Sequence, residues 1–302
     1  MTNRPQLGLI RQERQTRRRF VKRMTLATTG LSALVHAPRS AGADDPGKRA
    51  MRLSCSSINF SSLPIEQAVA RIASLGFDAI DIWSAHAGCP HLDDCLNRLG
   101  HEGLTALLKK HRLDLYSFSV YAGGFAKYAG LLGGCGGGVA VQGSRGGNPK
   151  DIRNEMKAFL ETLKPLAELA EKNNSFLAIE NHSHALLDAP DSFKAFVDLN
   201  DNPRIGIALA PYHLQSWKAD VAQVIRTCGD QLLYVYGWQK GSSTNQLPGI
   251  GPVDFKPLLA ALKEVNFKYP LNPFLHHEPA PDETSAALRK SRAHLIRLAS
   301  QL

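Results

Sequence analysis

The chain has 302 residues, 43% of them hydrophobic, and a formal charge of +9. That is enough apolar side chain to bury one substantial core, and five scattered cysteines do not make a disulfide framework. The charge excludes less than it first suggests. Residues 1–43 hold nine Lys and Arg against one Glu, so residues 44–302 hold 27 Lys and Arg against 26 Asp and Glu, a net of +1. A folded domain with that balance lacks the basic face that duplex binding needs, so a nucleic-acid partner is excluded.

Residues 1–43 are set apart from the fold. A basic region leads into Thr16-Arg17-Arg18-Arg19-Phe20-Val21-Lys22, which resembles a twin-arginine export motif. A mildly apolar stretch, Met24 to Ala37, follows and ends in the small-residue site Ala41-Gly42-Ala43. The stretch is too short for a stable membrane span. The expected domains are thus a removed signal over 1–43 and one exported, periplasmic domain over 44–302 without stable membrane insertion. The twin-arginine resemblance implies a protein that is folded, with any cofactor loaded, before export.

From Met51 onward, short apolar runs alternate with segments of helical period. Met51–Asn59 reads as the first strand, and Ile65, Ala68, Val69, Ile72 and Leu75 mark a helix stopped by Gly76. Ala79–Ser84 is the second strand, with a helix over His101–Arg112. Leu113–Val120 is the third, with Phe125–Leu132 after it. Gly138–Gly143 is the fourth, followed by a long helix over Asp151–Asn173 that Pro165 should kink. Ser175–Asn181 pairs with a helix over Pro190–Leu199, Arg204–Ala210 with Ser216–Cys228, and Gln231–Trp238 with Asp254–Val265. Tyr269–His276 and Asp282–Leu302 close the series. Eight strand–helix units in about 250 residues predict an α/β fold, a single (β/α)8 TIM barrel. No G-x-G-x-x-G opens the first helix, and the glycine cluster at 133–138 has the wrong spacing for a phosphate loop, so a nucleotide site is not indicated.

In such a barrel, chemistry sits at the C-terminal ends of the strands. Those ends carry Ser56 and Asn59; Asp81, Trp83, His86 and His91; Tyr121; Gln142 and Arg145; Glu180, Asn181, His182 and His184; Tyr212 and His213; Trp238, Gln239 and Lys240; and His276, His277 and Glu278. Seven of the eleven histidines fall on this one face. Glu180 ends an apolar strand, where a charge is costly without a partner. The set His86, Cys89, His91, Cys95 and His101 matches no closed zinc pattern, and only Cys89 and Cys95 are near enough in sequence to suggest a bridge. Lys240 and Arg145 are lone loop bases of the kind usually solvated.

Four segments together resemble the sugar phosphate isomerase/epimerase family, which is xylose isomerase-like. They are Leu177-Ala-Ile-Glu-Asn-His182, Ile207-Ala-Leu-Ala-Pro-Tyr-His-Leu214, Leu247-Pro-Gly-Ile-Gly-Pro252 and Asn272-Pro-Phe-Leu-His-His-Glu278. The resemblance implies a site with Glu, Asp, His and Glu around a divalent Mn or Mg, moving a proton on a sugar carbon next to a carbonyl. Glu180 matches the first Glu, Glu278 the last, and His213 a substrate-contacting His. Glu180, His213 and Glu278 are therefore the expected catalytic residues. Trp83, His86, Tyr121, His182, Trp238, Gln239 and His276 are expected to contact a small sugar or sugar derivative.

The sequence departs from that pattern at two ligand positions, which are Ala210 and Tyr236. Any metal is then expected to be held weakly, through Glu180, Glu278 and a histidine. Without one, two neighbouring carboxylates would split their pKa values into an acid and a base, and a protonated His213 or His276 would supply positive charge. Isomerisation, epimerisation and elimination from a keto-sugar share the same first step. The alternative expectation is an exported carbohydrate-binding barrel without catalysis. Oligomeric state is left open by the sequence.

Overall fold

The structure, a computed structural model, describes residues 51–302 except 85–87 and 148. The export-signal reading of residues 1–43, and His86 with it, lies outside the described residues. Eight parallel strands follow one another in chain order around a single sheet. They are β1 (Ser54–Ser56), β2 (Ala79–Ser84), β3 (Asp114–Val120), β4 (Val139–Gly143), β5 (Phe176–Glu180), β6 (Ile205–Leu209), β7 (Leu232–Gly237) and β8 (Leu271–Pro273). A parallel bridge between Leu53 and Leu271 brings the last strand back to the first, so the barrel is nearly closed. The main helices are α1 (Ile65–Ser74), α2 (Gly100–His111), α3 (Gly124–Gly134), α4 (Ile152–Thr162), α5 (Lys164–Lys172), α6 (Pro190–Leu199), α7 (Val221–Cys228), α8 (Lys256–Glu264) and α9 (Pro281–Ala299).

Strand alternation divides the buried side chains into two cores. Ile80, Ile82, Phe118, Val120, Leu177, Ile179, Ile207, Leu209 and Val235 point outward and pack with the helix stripes, such as Ile65, Ala68, Val69 and Ile72 of α1. The opposite set fills the barrel: Trp83, Ala178, Ala208, Ala210, Tyr234, Tyr236, Trp238 and Phe274. Small residues on β5 and β6 thus face large aromatics from β2, β7 and β8. This lets rings occupy the interior.

Several boundaries differ from the sequence expectation. The first strand stops at Ser56, because Ser57–Phe60 winds into a short 3-10 turn. The eighth is only Leu271–Pro273, with one further hydrogen bond to β7 from the Phe274 N–H to the Gly237 carbonyl at 3.1 Å. The expected helix over Asp151–Asn173 is two helices: Pro165 falls in the first turn of α5, where its missing N–H costs nothing, so the proline starts a helix rather than kinking one. The expected helix from Ser216 begins at Val221, where the Asp220 carboxylate caps the Gln223 N–H at 3.0 Å. Short helical turns over His91–Asp94 and Cys95–Leu99 precede α2 and were not expected.

All five cysteines are free, Cys89 and Cys95 included. Burial pushes the Cys55 and Cys95 thiols up to about 12 and the Cys89 thiol up to about 11. Thiolate is the reactive form. A colorimetric thiol titration of the native protein at pH 8 should therefore register at most the half-buried Cys135, and all five thiols after denaturation; rapid native reaction of three or more would contradict this packing. Among the described residues, no helix is long and apolar enough to cross a membrane.

Candidate active site

Glu180 is the last residue of β5 and its side chain enters the barrel mouth. It is 7% exposed. Burial pushes its carboxyl up to about 7, with the negative charge of Asp81 adding to the rise and a hydrogen bond from Tyr121 opposing it. The Tyr121 hydroxyl donates to Glu180 Oε2 at 2.5 Å, and lies 3.0 Å from the Tyr236 hydroxyl. Burial raises both tyrosines well above their ordinary ionisation, so they stay protonated hydrogen-bond donors at neutral pH.

Beneath this trio lies Asp81, fully buried on β2. Its carboxylate accepts from Ser56 Oγ and Ser117 Oγ at 2.8 Å each, from Ser119 Oγ at 3.0 Å and from the Tyr234 hydroxyl at 3.1 Å. The Trp83 indole N–H also donates to it. All of these donors are neutral. They offset part of the burial cost, which nonetheless raises the Asp81 carboxyl above its usual range. The network fixes Trp83, whose ring stacks on Phe274 at 5.3 Å and tilts against Tyr121 at 4.9 Å.

A second wall comes from β6 and β7. Trp238 stacks on Tyr212 at 4.2 Å, and its indole N–H donates to Gln246 Oε1 at 2.6 Å. His213 and His276 both meet the Trp238 ring edge-on at 5.3 Å. His182 is exposed and lies 4.1 Å from the His213 ring, and Ser183 Oγ is 3.2 Å from His213 Nδ1. The mouth is thus lined by aromatic faces with imidazoles between them. That combination suits sugar C–H surfaces and hydroxyl groups.

Three sequence expectations change. Neither His213 nor His276 is the expected protonated histidine. Burial drives them down to about 3 and about 4, helped in each case by neighbouring histidines, so both are neutral at pH 7. Gln239 is a loop brace rather than a sugar contact: it is fully buried, its Nε2 donates to the Leu247 carbonyl at 2.9 Å, and its Oε1 accepts from the Val253 N–H at 2.8 Å. Glu278 is not the carboxylate that raises Glu180. Asp81 holds that place, and Glu278 itself is raised by its own burial. Glu278 is half-buried with Oε1 lacking a hydrogen-bond partner and 4.0 Å from His276 Nδ1. The residue before it, His277, has φ of 59°, a left-handed conformation uncommon for a residue with a side chain.

The remaining positions are placed as follows. Arg145 is exposed and paired with Glu155 at 2.5 Å, and the Lys240 ammonium lies 2.5 Å from Ser216 Oγ. His91 is buried, its Nε2 2.8 Å from the Leu63 carbonyl and its Nδ1 3.5 Å from Cys89 Sγ. Phe274, Tyr234 and Gln246 were missed as parts of the site. The first two were accessible from alternation, since 234, 236 and 238, and 272, 274 and 276, share a strand face.

The four positions of the implied metal site offer too few donors. Ala210 presents a methyl group, and the Tyr236 phenol is protonated and engaged with Tyr121. Among the described residues, no three His, Cys, Asp or Glu side chains converge as a metal-binding group. An oxygen-rich Mn or Mg site needs several such donors in fixed geometry, so these residues do not fit a resident divalent ion.

Solved structures share this fold. The chain resembles a 3-keto-D-glucoside 4-epimerase, YcjR, from E. coli, at 17% identity and a TM-score of 0.63, covering 80% of this chain and 99% of that one. It also resembles the probable 3-DHS dehydratase AsbF from Bacillus anthracis, at 15% identity and a TM-score of 0.65, covering 79% and 98%. A D-allulose 3-epimerase from Methylomonas sp. matches at 18% identity and a TM-score of 0.62, covering 83% and 99%. At these identities the likeness is one of fold. No curated protein matches the sequence significantly. The profile of the xylose isomerase-like TIM barrel family, however, matches residues 69–297, most of the chain. The chain belongs to the xylose isomerase-like TIM barrel family.

Proposed function

We infer that this protein transfers a proton at a carbon next to the carbonyl of a sugar or sugar derivative, as an isomerase or epimerase. The observation that carries this is Glu180: a buried carboxylate at a barrel strand end, raised to about 7 and surrounded by aromatic faces. A base with that pKa is partly ionised at neutral pH and has more basicity than an ordinary carboxylate. His213, neutral and beside Ser183 and Trp238, positions a substrate oxygen, while His182, His276, Trp83, Tyr121 and Trp238 contact the sugar. Glu278 is the second acid–base group. The epimerases among the structural neighbours support this chemistry, and the dehydratase supports elimination from the same first intermediate. Export through the twin-arginine route to the periplasm is part of the same reading, and suits a free sugar or glycoside better than a sugar phosphate.

A second reading is favoured by Ala210 and Tyr236. A barrel that lost two ligand positions and filled its interior with rings would serve as an exported sugar-binding protein. Incubation with a panel of free sugars and 3-keto-glycosides separates the readings. Product analysis by nuclear magnetic resonance (NMR) should show a new isomer, epimer or dehydrated product for at least one compound. Calorimetric binding of a panel member with no product from any of them would favour the second reading.

A further inference from the structure

We propose that the Tyr121 hydroxyl, backed by that of Tyr236, is the hydrogen-bond donor that stabilises the oxyanion formed on the substrate, in place of a divalent metal. This deepens the proton-transfer reading above and rests on it. Tyr121 follows β3 at the barrel mouth and is half-buried, so it reaches both the site and Glu180. Tyr236 is 1% exposed, and its ring is wedged against Tyr234 at 4.6 Å and Phe274 at 5.0 Å. Its hydroxyl is therefore fixed. Because Tyr121 gives its hydrogen to Glu180, the 3.0 Å contact between the two tyrosines is made by the Tyr236 hydrogen pointing at the Tyr121 oxygen. The result is a chain of donors, Tyr236 to Tyr121 to Glu180, ending on the base. At the two positions where metal donors are missing, Ala210 adds none and Tyr236 is the root of this chain.

The arrangement moves a proton without any other reactant. The Glu180 carboxylate takes the hydrogen from the carbon beside the carbonyl. The C–H electron pair becomes a carbon–carbon double bond, and the carbonyl π pair moves to oxygen. Glu180, now a neutral acid, no longer draws the Tyr121 hydrogen. Tyr121 rotates its O–H toward the new oxyanion while its own oxygen keeps the Tyr236 hydrogen bond, which makes it a better donor. Glu278 then gives a proton to the opposite face of that carbon: the double-bond pair forms the new C–H bond, the oxyanion pair re-forms the carbonyl, Glu180 later releases its proton to solvent, and no electrons enter or leave. Tyr121 is thus a catalytic residue and Tyr236 a positioning residue that acts through it.

The test uses the full-length protein stripped with a chelator, and a sugar identified by the panel. Turnover should be unchanged by chelation, and calorimetric titration with Mn2+ alone should give no stoichiometric binding below millimolar concentration. Tyr121→Phe should lower kcat by about 10²–10³-fold, the usual effect of removing one oxyanion donor, with KM within about threefold. Tyr236→Phe should lower kcat by about tenfold, again with KM nearly unchanged, a split that loss of packing alone would not give. Both variants should keep a cooperative thermal transition by circular dichroism. Submicromolar Mn2+ binding with turnover that depends on it, or unchanged kcat in Tyr121→Phe, would overturn this role while leaving proton transfer intact. Absence of turnover by the unaltered protein for every sugar, with and without Mn2+, would remove the parent reading and this role together.

Discussion

Replacing Glu180 by Gln should lower turnover by about 10²–10⁴-fold, the range general-base catalysis contributes. The amide keeps the shape and still accepts the Tyr121 hydrogen bond, but it cannot take a proton. The pH dependence follows from the same group. The free enzyme needs Glu180 ionised, so kcat/KM should rise with pH and level off above about 7. Stability should move the other way. The folded carboxyl sits near 7 against an ordinary 4.5, so the folded state holds the proton over that interval. The contribution is fully present below pH 4.5 and is lost as pH rises to about 7. Glu180→Gln should therefore be more stable than the unaltered protein at pH 8 by about 1–3 kcal/mol, and about equal at pH 4. Urea denaturation at the two pH values checks this. Equal stability at both would mean that Glu180 is not the buried, raised group described.

Asp81→Ala should destabilise the barrel by about 3–5 kcal/mol, among the larger single-residue effects. Its two oxygens receive hydrogen bonds from Ser56, Ser117, Ser119, Trp83 and Tyr234. Serine hydroxyls can rotate toward one another when the acceptor is lost. The Trp83 indole N–H cannot, and an unpaired buried donor costs about 1–3 kcal/mol by itself. Asp81→Asn keeps one acceptor oxygen but turns an amide N–H₂ toward the other donors, so it should fall between the alanine variant and the unaltered protein. Chemical denaturation gives the free energies. A change below about 1 kcal/mol for the alanine variant would show that the network is not what holds Trp83 and the barrel interior.

The order of eight strand–helix units was legible because each strand is a continuous apolar run and each helix carries an apolar stripe. The strand face turned inward was also legible in principle, since Asp81 with Trp83, and Tyr234, Tyr236 and Trp238, are two apart. Where the sequence ran out, the cause was a partner brought in from far along the chain. Tyr121 meets Glu180 across 59 positions, and Tyr234 reaches Asp81 across 153. No local pattern announces either. The expectation of a protonated histidine fails for a related reason: a neighbouring carboxylate is legible in sequence, whereas the rings that bury His213 (Tyr212 and Trp238) and His276 (Trp83, Trp238 and Phe274) are brought together only by the fold. Gln239 looked like a sugar donor because its two amide partners lie in a loop whose path only the fold shows.

Proton transfer at carbon through Glu180 underlies every role assigned to the barrel mouth. Its most direct test is incubation of each panel sugar in deuterated water with the unaltered protein, followed by NMR of the recovered sugar. Deuterium should appear at one carbon beside a carbonyl, and should not appear with Glu180→Gln. A sugar that binds with its carbon-bound hydrogens fully retained, or equal exchange in the Glu180→Gln variant, would contradict the account.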